Sequence, residues 1–128
     1  MCIASNDAYA IGICHHLGLG TPKDNIKALI HLETAAKSGN ELAQYELAGL
    51  FYQTRNEMSF MWYLRAAKQG LFEAQYVIGR LLYTGTGCVE NVDDAIIWFK
   101  KAAKQGSIHA KNYIQAIEKQ RQLNNNNK

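Results

Sequence analysis

Apolar residues recur along the chain at intervals of three and four, in blocks separated by short polar or glycine-rich stretches. Between residues 71 and 106, one apolar stripe includes Ala74 and Ile78 and a second includes Ala95 and Phe99. Such spacing is typical of amphipathic helices that bury one face. The Gly-Thr-Gly sequence between the two stripes suits the left-handed backbone at a helix end. The pattern therefore predicts two helices joined by a tight turn.

The same block occurs three times. The sequence Ala-Ala-Lys-Gln-Gly at residues 102–106 repeats residues 66–70 and, more loosely, residues 35–39. We predict repeats at about 4–39, 40–70 and 71–106, a capping helix over 107–122, and a disordered Asn-rich tail over 123–128. The predicted fold is an all-α solenoid of three helix-turn-helix repeats plus the cap, seven helices in a single domain over residues 1–122.

The second repeat lacks the glycine turn, and its two helices are therefore joined by a shorter connection. Its second helix is predicted at Ser59–Lys68, against Ile26–Lys37 and Val92–Lys104 in the other repeats. Gly12, Ala48 and Gly79 share one repeat position, where we expect the partner helix to cross closely, since glycine inside a helix costs up to about 1 kcal/mol.

Composition limits which partners and which cellular compartment the sequence supports. The 128 residues carry a net charge of +3, too small by itself to indicate a polyanionic partner. Three cysteines at irregular spacing favour a reducing compartment over a disulfide framework. No signal peptide and no membrane-spanning run are evident. We expect a cytoplasmic protein, or one delivered to a host cytosol if it is a bacterial effector.

These repeats resemble the Sel-one-like repeat (SLR) family, a branch of the tetratricopeptide-like superfamily. The third copy matches the family pattern at Gly79, Gly85, Gly87, Trp98 and Gly106, and the resemblance covers residues 7 to about 118. It implies a right-handed α-α superhelix whose first helices line a concave face. It also implies a scaffold or adaptor rather than an enzyme.

The candidate binding residues lie on the first helix of each repeat, on the face opposite the apolar stripe. Aromatic residues stand there seven positions apart, which places them on the same side of a helix. The predicted groove residues are Tyr9, His16, Tyr45, Tyr52, Tyr76, Arg80, Tyr83 and Asn112. Tyrosine is enriched at interface hot spots, so these residues suit a peptide groove. The alternative is that the tyrosines pack between neighbouring first helices.

No catalytic or metal-binding motif is evident. The Cys14-His15-His16 sequence lacks a further ligand four residues away, and the glycine turns lack the Lys-Ser/Thr of a phosphate loop. We therefore expect no metal, no cofactor and no enzymatic activity.

The sequence favours a scaffold that binds a protein or peptide of unknown identity. Self-association through the uncapped N-terminal face is a further expectation. Two alternatives stay open: single-stranded nucleic-acid binding, for which the groove carries little positive charge, and a repeat arm of a larger enzyme or secreted effector.

Overall fold

A computed structural model describes residues 25–126, in which every regular element is an α-helix. The helices are α1 (Asn25–Lys37), α2 (Glu41–Phe51), α3 (Asn56–Lys68), α4 (Phe72–Thr84), α5 (Val92–Lys104) and α6 (Ile108–Asn126). The all-α fold class is confirmed. Six of the seven predicted helices lie in this part of the chain, and the first predicted helix falls outside the described residues.

Each helix packs mainly against the helix before it and the helix after it, which is the arrangement of an α-α solenoid. We call α2, α4 and α6 the first helices and α1, α3 and α5 the second helices. The core lies between these two rows. It contains the predicted apolar stripes, with Leu32, Leu47, Ile78 and Phe99 completely buried.

A close helix crossing occurs at Gly79, as the sequence predicted. A Cβ atom added there would lie 2.6 Å from ring carbons of Phe99, well inside van der Waals contact. The glycine therefore allows α5 to bring an aromatic ring against the backbone of α4.

The second helices all end in the same way. The carbonyl groups of Ala35, Ala66 and Ala102 each accept a hydrogen bond from the backbone N–H five residues later, at 3.1, 3.3 and 3.1 Å. This 6→1 bond closes a helix C-terminus. The repeated Ala-Ala-Lys-x-Gly segment thus encodes one turn geometry three times.

Two of the helices are capped at their N-termini by polar side chains. The Asn91 side chain accepts a bond from the Asp94 N–H at 3.0 Å, and the Ser107 hydroxyl accepts one from the Ala110 N–H at 3.2 Å. Each satisfies a backbone donor that the first helical turn leaves unpaired.

A buried ladder of glutamines links consecutive repeats. Gln44 and Gln75, which are 4% and 5% exposed, donate to the carbonyls of Ala36 and Ala67 at the ends of the preceding second helices. The glutamines that follow the second helices then donate to them: Gln69 to Gln44 at 2.7 Å and Gln105 to Gln75 at 2.9 Å. The ladder fixes the first helix of one repeat against the second helix of the repeat before it.

The start of α3 differs from the prediction. The helix begins at Asn56, three residues before the predicted Ser59. The connection is short because Gln53 adopts a positive φ of 73° and its N–H donates to the Asn56 side chain at 2.7 Å. This local turn lets the chain enter the helix directly, without the glycine loop of the third repeat.

The predicted disordered tail is also corrected in part. The capping helix α6 runs to Asn126, four residues past the predicted end at 122. No proline or glycine interrupts residues 107–126, and Gln120 donates to the Asn124 side chain at 3.4 Å. Arg121 also pairs with Asp93 of α5 at 2.7 Å, although both side chains are solvent-exposed.

Candidate functional site

A depression of about 240 Å³ lies between α2 and α4, on the face formed by the first helices. We call it the groove pocket. Its lining residues are Tyr45, Tyr52, Tyr63, Val77, Arg80 and Leu81. The pocket therefore combines three phenol rings, one guanidinium group and two aliphatic side chains. A pocket lined in this way offers a ligand both apolar contact area and hydrogen-bonding groups.

Two of the predicted tyrosines present their rings to solvent. Tyr52 is 40% exposed at the C-terminus of α2, and Tyr83 is 37% exposed in the last turn of α4. Tyr83 also lines a second depression, of about 230 Å³, between α4 and α6. Tyr9 and His16, which the sequence placed in the same row, lie outside the described residues.

Tyr45 and Tyr76 are half-buried and pack against other rings. The Tyr45 ring meets Tyr63 edge-on, with centroids 5.5 Å apart. Tyr76 lies 5.7 Å from His109 and 5.9 Å from Tyr113, both of which belong to α6. Tyr76 therefore packs between neighbouring first helices, which was the alternative interpretation of this row. Tyr45 combines packing with a place on the pocket wall.

Tyr63 lines the groove pocket, although it is not among the predicted groove residues. Its ring is 8% exposed, but its hydroxyl reaches the groove pocket beside Gly49, where an added Cβ atom would lie 3.5 Å from that oxygen. Burial, followed by the nearby Tyr45, Glu46 and Tyr52, raises the pKa of Tyr63 to about 12. The hydroxyl thus keeps its proton at neutral pH and can act as a hydrogen-bond donor.

Arg80 occupies the centre of the groove. It is exposed, its guanidinium carbon lies 5.7 Å from the centroid of the Tyr76 ring, and it forms a wall of the groove pocket. Two carboxylates share this region. Burial, then the charges of Glu46 and Glu73, raise the pKa of Tyr45, whereas Arg80 lowers it. The polar part of the groove therefore carries both signs of charge.

Asn112, one of the predicted groove residues, is exposed on α6. The ring contacts that its repeat position suggests are made by the next residue, Tyr113. Tyr113 stacks on Phe99 at 4.9 Å and meets Tyr83 edge-on at 6.3 Å. The ring of Tyr113 thus closes the C-terminal end of the aromatic row. Counting repeat positions could not find it, because the capping helix departs from the repeat pattern.

A larger depression, of about 580 Å³, lies away from the groove between α1, α2 and α3. In the third repeat, the glycine turn packs onto the N-terminus of α3: a Cβ atom at Gly87 would overlap the carbonyl of Asn56. The shortened second repeat has no such turn to place on α1. We therefore interpret this depression as the space that the missing turn leaves, and we assign the groove as the candidate site.

The described residues offer few groups suited to metal binding, membrane insertion or nucleophilic chemistry. In residues 25–126, no three His, Cys, Asp or Glu side chains come close enough to hold a metal ion. None of the six described helices combines the length and apolar character needed to cross a bilayer. The Cys88 thiol lies 3.3 Å from the Leu81 carbonyl, and burial raises its pKa, so it is not an activated nucleophile.

Comparison with known proteins identifies the family. The Sel1 repeat matches this chain three times, at residues 6–40, 41–71 and 72–107. These matches cover most of the chain, so the protein belongs to the Sel1 repeat family, the SLR family that its glycines and Ala-Ala pairs resemble. No curated protein sequence matches the chain.

Solved structures agree with this assignment. A Sel1 repeat protein from Oxalobacter formigenes is 32% identical, with a TM-score of 0.79, and the match covers 85% of this chain and 86% of that protein. The c5321 protein, a protective antigen with an SLR fold from uropathogenic Escherichia coli, is 28% identical, with a TM-score of 0.82. The chain spans 24% of that antigen, and 84% of the chain is covered.

A more distant structure shows the same fold. Helicobacter pylori cysteine rich protein B is 22% identical, with a TM-score of 0.70, and the match covers 78% of this chain and 79% of that protein.

Sel1 repeat proteins are generally protein-interaction scaffolds, and they are typically non-catalytic. Members of the family bind protein partners.

Proposed function

We propose that this protein is a non-catalytic scaffold that holds a segment of a partner protein in the groove along α2, α4 and α6. The observation that carries the proposal is the groove pocket, where exposed Tyr52 and Arg80 surround the hydroxyl of Tyr63. Tyrosine and arginine are the residues most enriched among interface hot spots. A stable fold has no need to expose them together.

The Tyr63 hydroxyl adds a specific argument. This hydroxyl forms no hydrogen bond with the described residues, although the residue that carries it is only 8% exposed. An amphipathic ring buried at one end and open at the other is well suited to receive a polar atom from a partner. The partner backbone supplies such atoms at every residue.

Single-stranded nucleic acid is the weaker candidate. Around Tyr45, the groove contains the carboxylates of Glu46 and Glu73 and only one guanidinium, that of Arg80. A polyanion requires a track of positive charge, and its binding weakens steeply with salt. We expect partner binding to change less than tenfold between about 50 and 200 mM salt, whereas binding through several phosphates changes about 10³-fold or more.

The proposal is tested by affinity capture with purified protein. We expect the Tyr52→Ser/Tyr83→Ser double variant to lose the partners that the wild type retains. Its melting temperature should fall by less than about 5 °C, since only the Tyr83–Tyr113 ring contact is lost. Ile97→Ser is the matched control, because Ile97 is 52% exposed on a second helix, α5. Retention of the same partners by the double variant would contradict groove binding.

A further inference from the structure

Arg80 has no ionic partner within the described residues. The two ion pairs found among them, Lys37–Glu33 and Arg121–Asp93, lie elsewhere. The guanidinium carbon instead lies 5.7 Å from the centroid of the Tyr76 ring, within the range of a cation–π contact. An arginine can bind a carboxylate through two N–H groups at once, so a partner aspartate or glutamate suits this position.

Glu73 carries the opposite charge to Arg80 and is less exposed. It is half-buried in the first turn of α4, and its Oε2 atom is sealed from solvent with no hydrogen-bond partner. Leaving a buried polar group unpaired costs about 1–3 kcal/mol, and more for a charged one. Because the carboxylate is poorly hydrated, it gains more from a nearby cation than a fully exposed carboxylate would. Glu46, also without an ion pair among the described residues, adds a second negative charge beside Tyr45.

The two groups are arranged along a single helix face. Glu73 and Arg80 are seven residues apart on α4, which places them on the same side and about 10 Å apart along the axis. Tyr76 stands between them, so an apolar ring separates the two charges. This arrangement is a recognition surface with a negative end, an aromatic centre and a positive end.

We propose that the partner segment is zwitterionic and carries one lysine or arginine for Glu73 and one aspartate or glutamate for Arg80, three residues apart. This inference rests on the groove function proposed above and specifies its ligand. In a polyproline II helix, residues i and i+3 lie on the same side and about 9.3 Å apart, close to the axial rise between residues 73 and 80 of α4. A β-strand does not fit, because its residues i and i+3 point to opposite faces.

The charge pattern distinguishes this ligand from its competitors. A wholly acidic segment would be attracted by Arg80 but repelled by Glu46 and Glu73. A wholly basic segment would be attracted by the two carboxylates but repelled by Arg80. An uncharged apolar segment would offer no cation to the Glu73 carboxylate and no carboxylate to Arg80. Only opposite charges at the stated spacing satisfy both ends.

The test is selection of peptides from a random 12-residue displayed library on the purified protein. We expect the bound peptides to be enriched in opposite charges three residues apart, in one chain direction. For one selected peptide, fluorescence polarisation should show about tenfold weaker binding to Arg80→Glu and to Glu73→Lys. The Glu73→Lys/Arg80→Glu double variant should bind the same peptide with its two charges exchanged.

Controls separate folding from recognition. Glu73→Gln keeps the shape of the side chain and removes its charge, so it should weaken binding even if Glu73→Lys fails to fold. Lys100→Glu, an exposed charge reversal on the second helix α5, should leave the affinity unchanged. Melting curves of all variants establish that they are folded.

The outcomes are distinct. Selected peptides without the charge pair, whose binding still depends on Tyr52 and Tyr83, would overturn this inference and leave the groove function standing. If charged peptides are selected but Glu73→Gln and Arg80→Glu bind them as tightly as the wild type, the assignment of these two residues is wrong. Peptide binding that ignores the tyrosines as well would overturn both proposals.

Discussion

At the scale of single residues, two helix glycines serve different purposes. An added Cβ atom at Gly79 would lie 2.6 Å from the Phe99 ring, whereas at Gly49 it would meet only the Tyr63 hydroxyl, at 3.5 Å. Phe99 is completely buried, so displacing its ring would disturb close-packed neighbours. Gly79 is therefore required by packing, and Gly49 leaves the Tyr63 hydroxyl accessible from the groove.

This difference predicts opposite effects of the same substitution. Gly79→Ala should lower the free energy of unfolding by about 1–2 kcal/mol, because overpacking outweighs the gain in helix propensity. Gly49→Ala should raise it by up to about 1 kcal/mol, since the site is exposed and the new methyl group has room. Urea unfolding of the two variants measures both changes. Equal stabilisation by the two alanines would contradict the close crossing at Gly79.

Tyr63 gives a prediction in alkaline solution. Its pKa in the folded protein is raised to about 12, against an ordinary value of 10.0. Below pH 10 the folded and unfolded chains both hold the phenolic proton. Between pH 10 and 12 the unfolded chain releases it and the folded chain keeps it, so the free energy of unfolding falls as pH rises.

The matched variant is Tyr63→Phe, which keeps the ring and removes the titrating group. The stability of the wild type relative to this variant should decrease between pH 10 and 12 and be constant below pH 9. A difference ultraviolet titration of the two folded proteins should show one phenol ionising near pH 12. A midpoint near 10 would show that the Tyr63 hydroxyl is freely hydrated.

Residues differed in how well the sequence predicted their roles. The burial of Ala74 and Ile78 was predictable, because apolar residues at helical spacing define a face without further information. The burial of Gln75 was not, since a glutamine beside that stripe looks like a surface residue. Nor was the position of the Tyr63 hydroxyl in the groove pocket, because it depends on how α3 packs against α2 and α4.

At the scale of the elements, the glutamine ladder determines how neighbouring helices are held together. Gln75 joins α4 to the end of α3 through the Ala67 carbonyl, and Gln105 joins the end of α5 to the same glutamine. Buried bonds of this kind have a well-defined geometry, whereas apolar contacts between alanines tolerate sliding.

Gln75→Leu should therefore lower the free energy of unfolding by about 1–2 kcal/mol, because two side-chain hydrogen bonds are lost, from Gln75 to the Ala67 carbonyl and from Gln105 to Gln75. Gln115→Leu is the control, since Gln115 is exposed on α6, and it should change stability by less than about 0.5 kcal/mol. Equilibrium unfolding in urea measures both. If the two leucines have the same small effect, the ladder does not stabilise the stack.

Element boundaries were predicted best where the sequence repeats. The end of each second helix is determined by a local segment that recurs three times, and the structure closes all three with the same backbone bond. The start of α3 and the end of α6 were placed less well. Both depend on individual side-chain bonds, from Gln53 to Asn56 and from Gln120 to Asn124, for which no repeat pattern exists.

At the scale of the whole molecule, the fold followed from repetition and the site did not. Helix pairs stack because each buries an apolar face that it cannot cover alone, and this requirement can be read from the periodicity of one chain. The composition of the groove pocket depends on side chains from α2, α3 and α4 meeting in space. The cytoplasmic location and the self-association of the N-terminal face stay predictions.

The central claim is that partners bind along the first helices rather than on the second helices. The most direct measurement is photo-crosslinking in the producing cell, with a benzoylphenylalanine placed at Tyr52 or, as control, at Ile97. We predict a defined protein adduct from position 52, and its loss when Arg80→Glu is added. Adducts of equal yield from both positions, or from position 97 alone, would contradict the account.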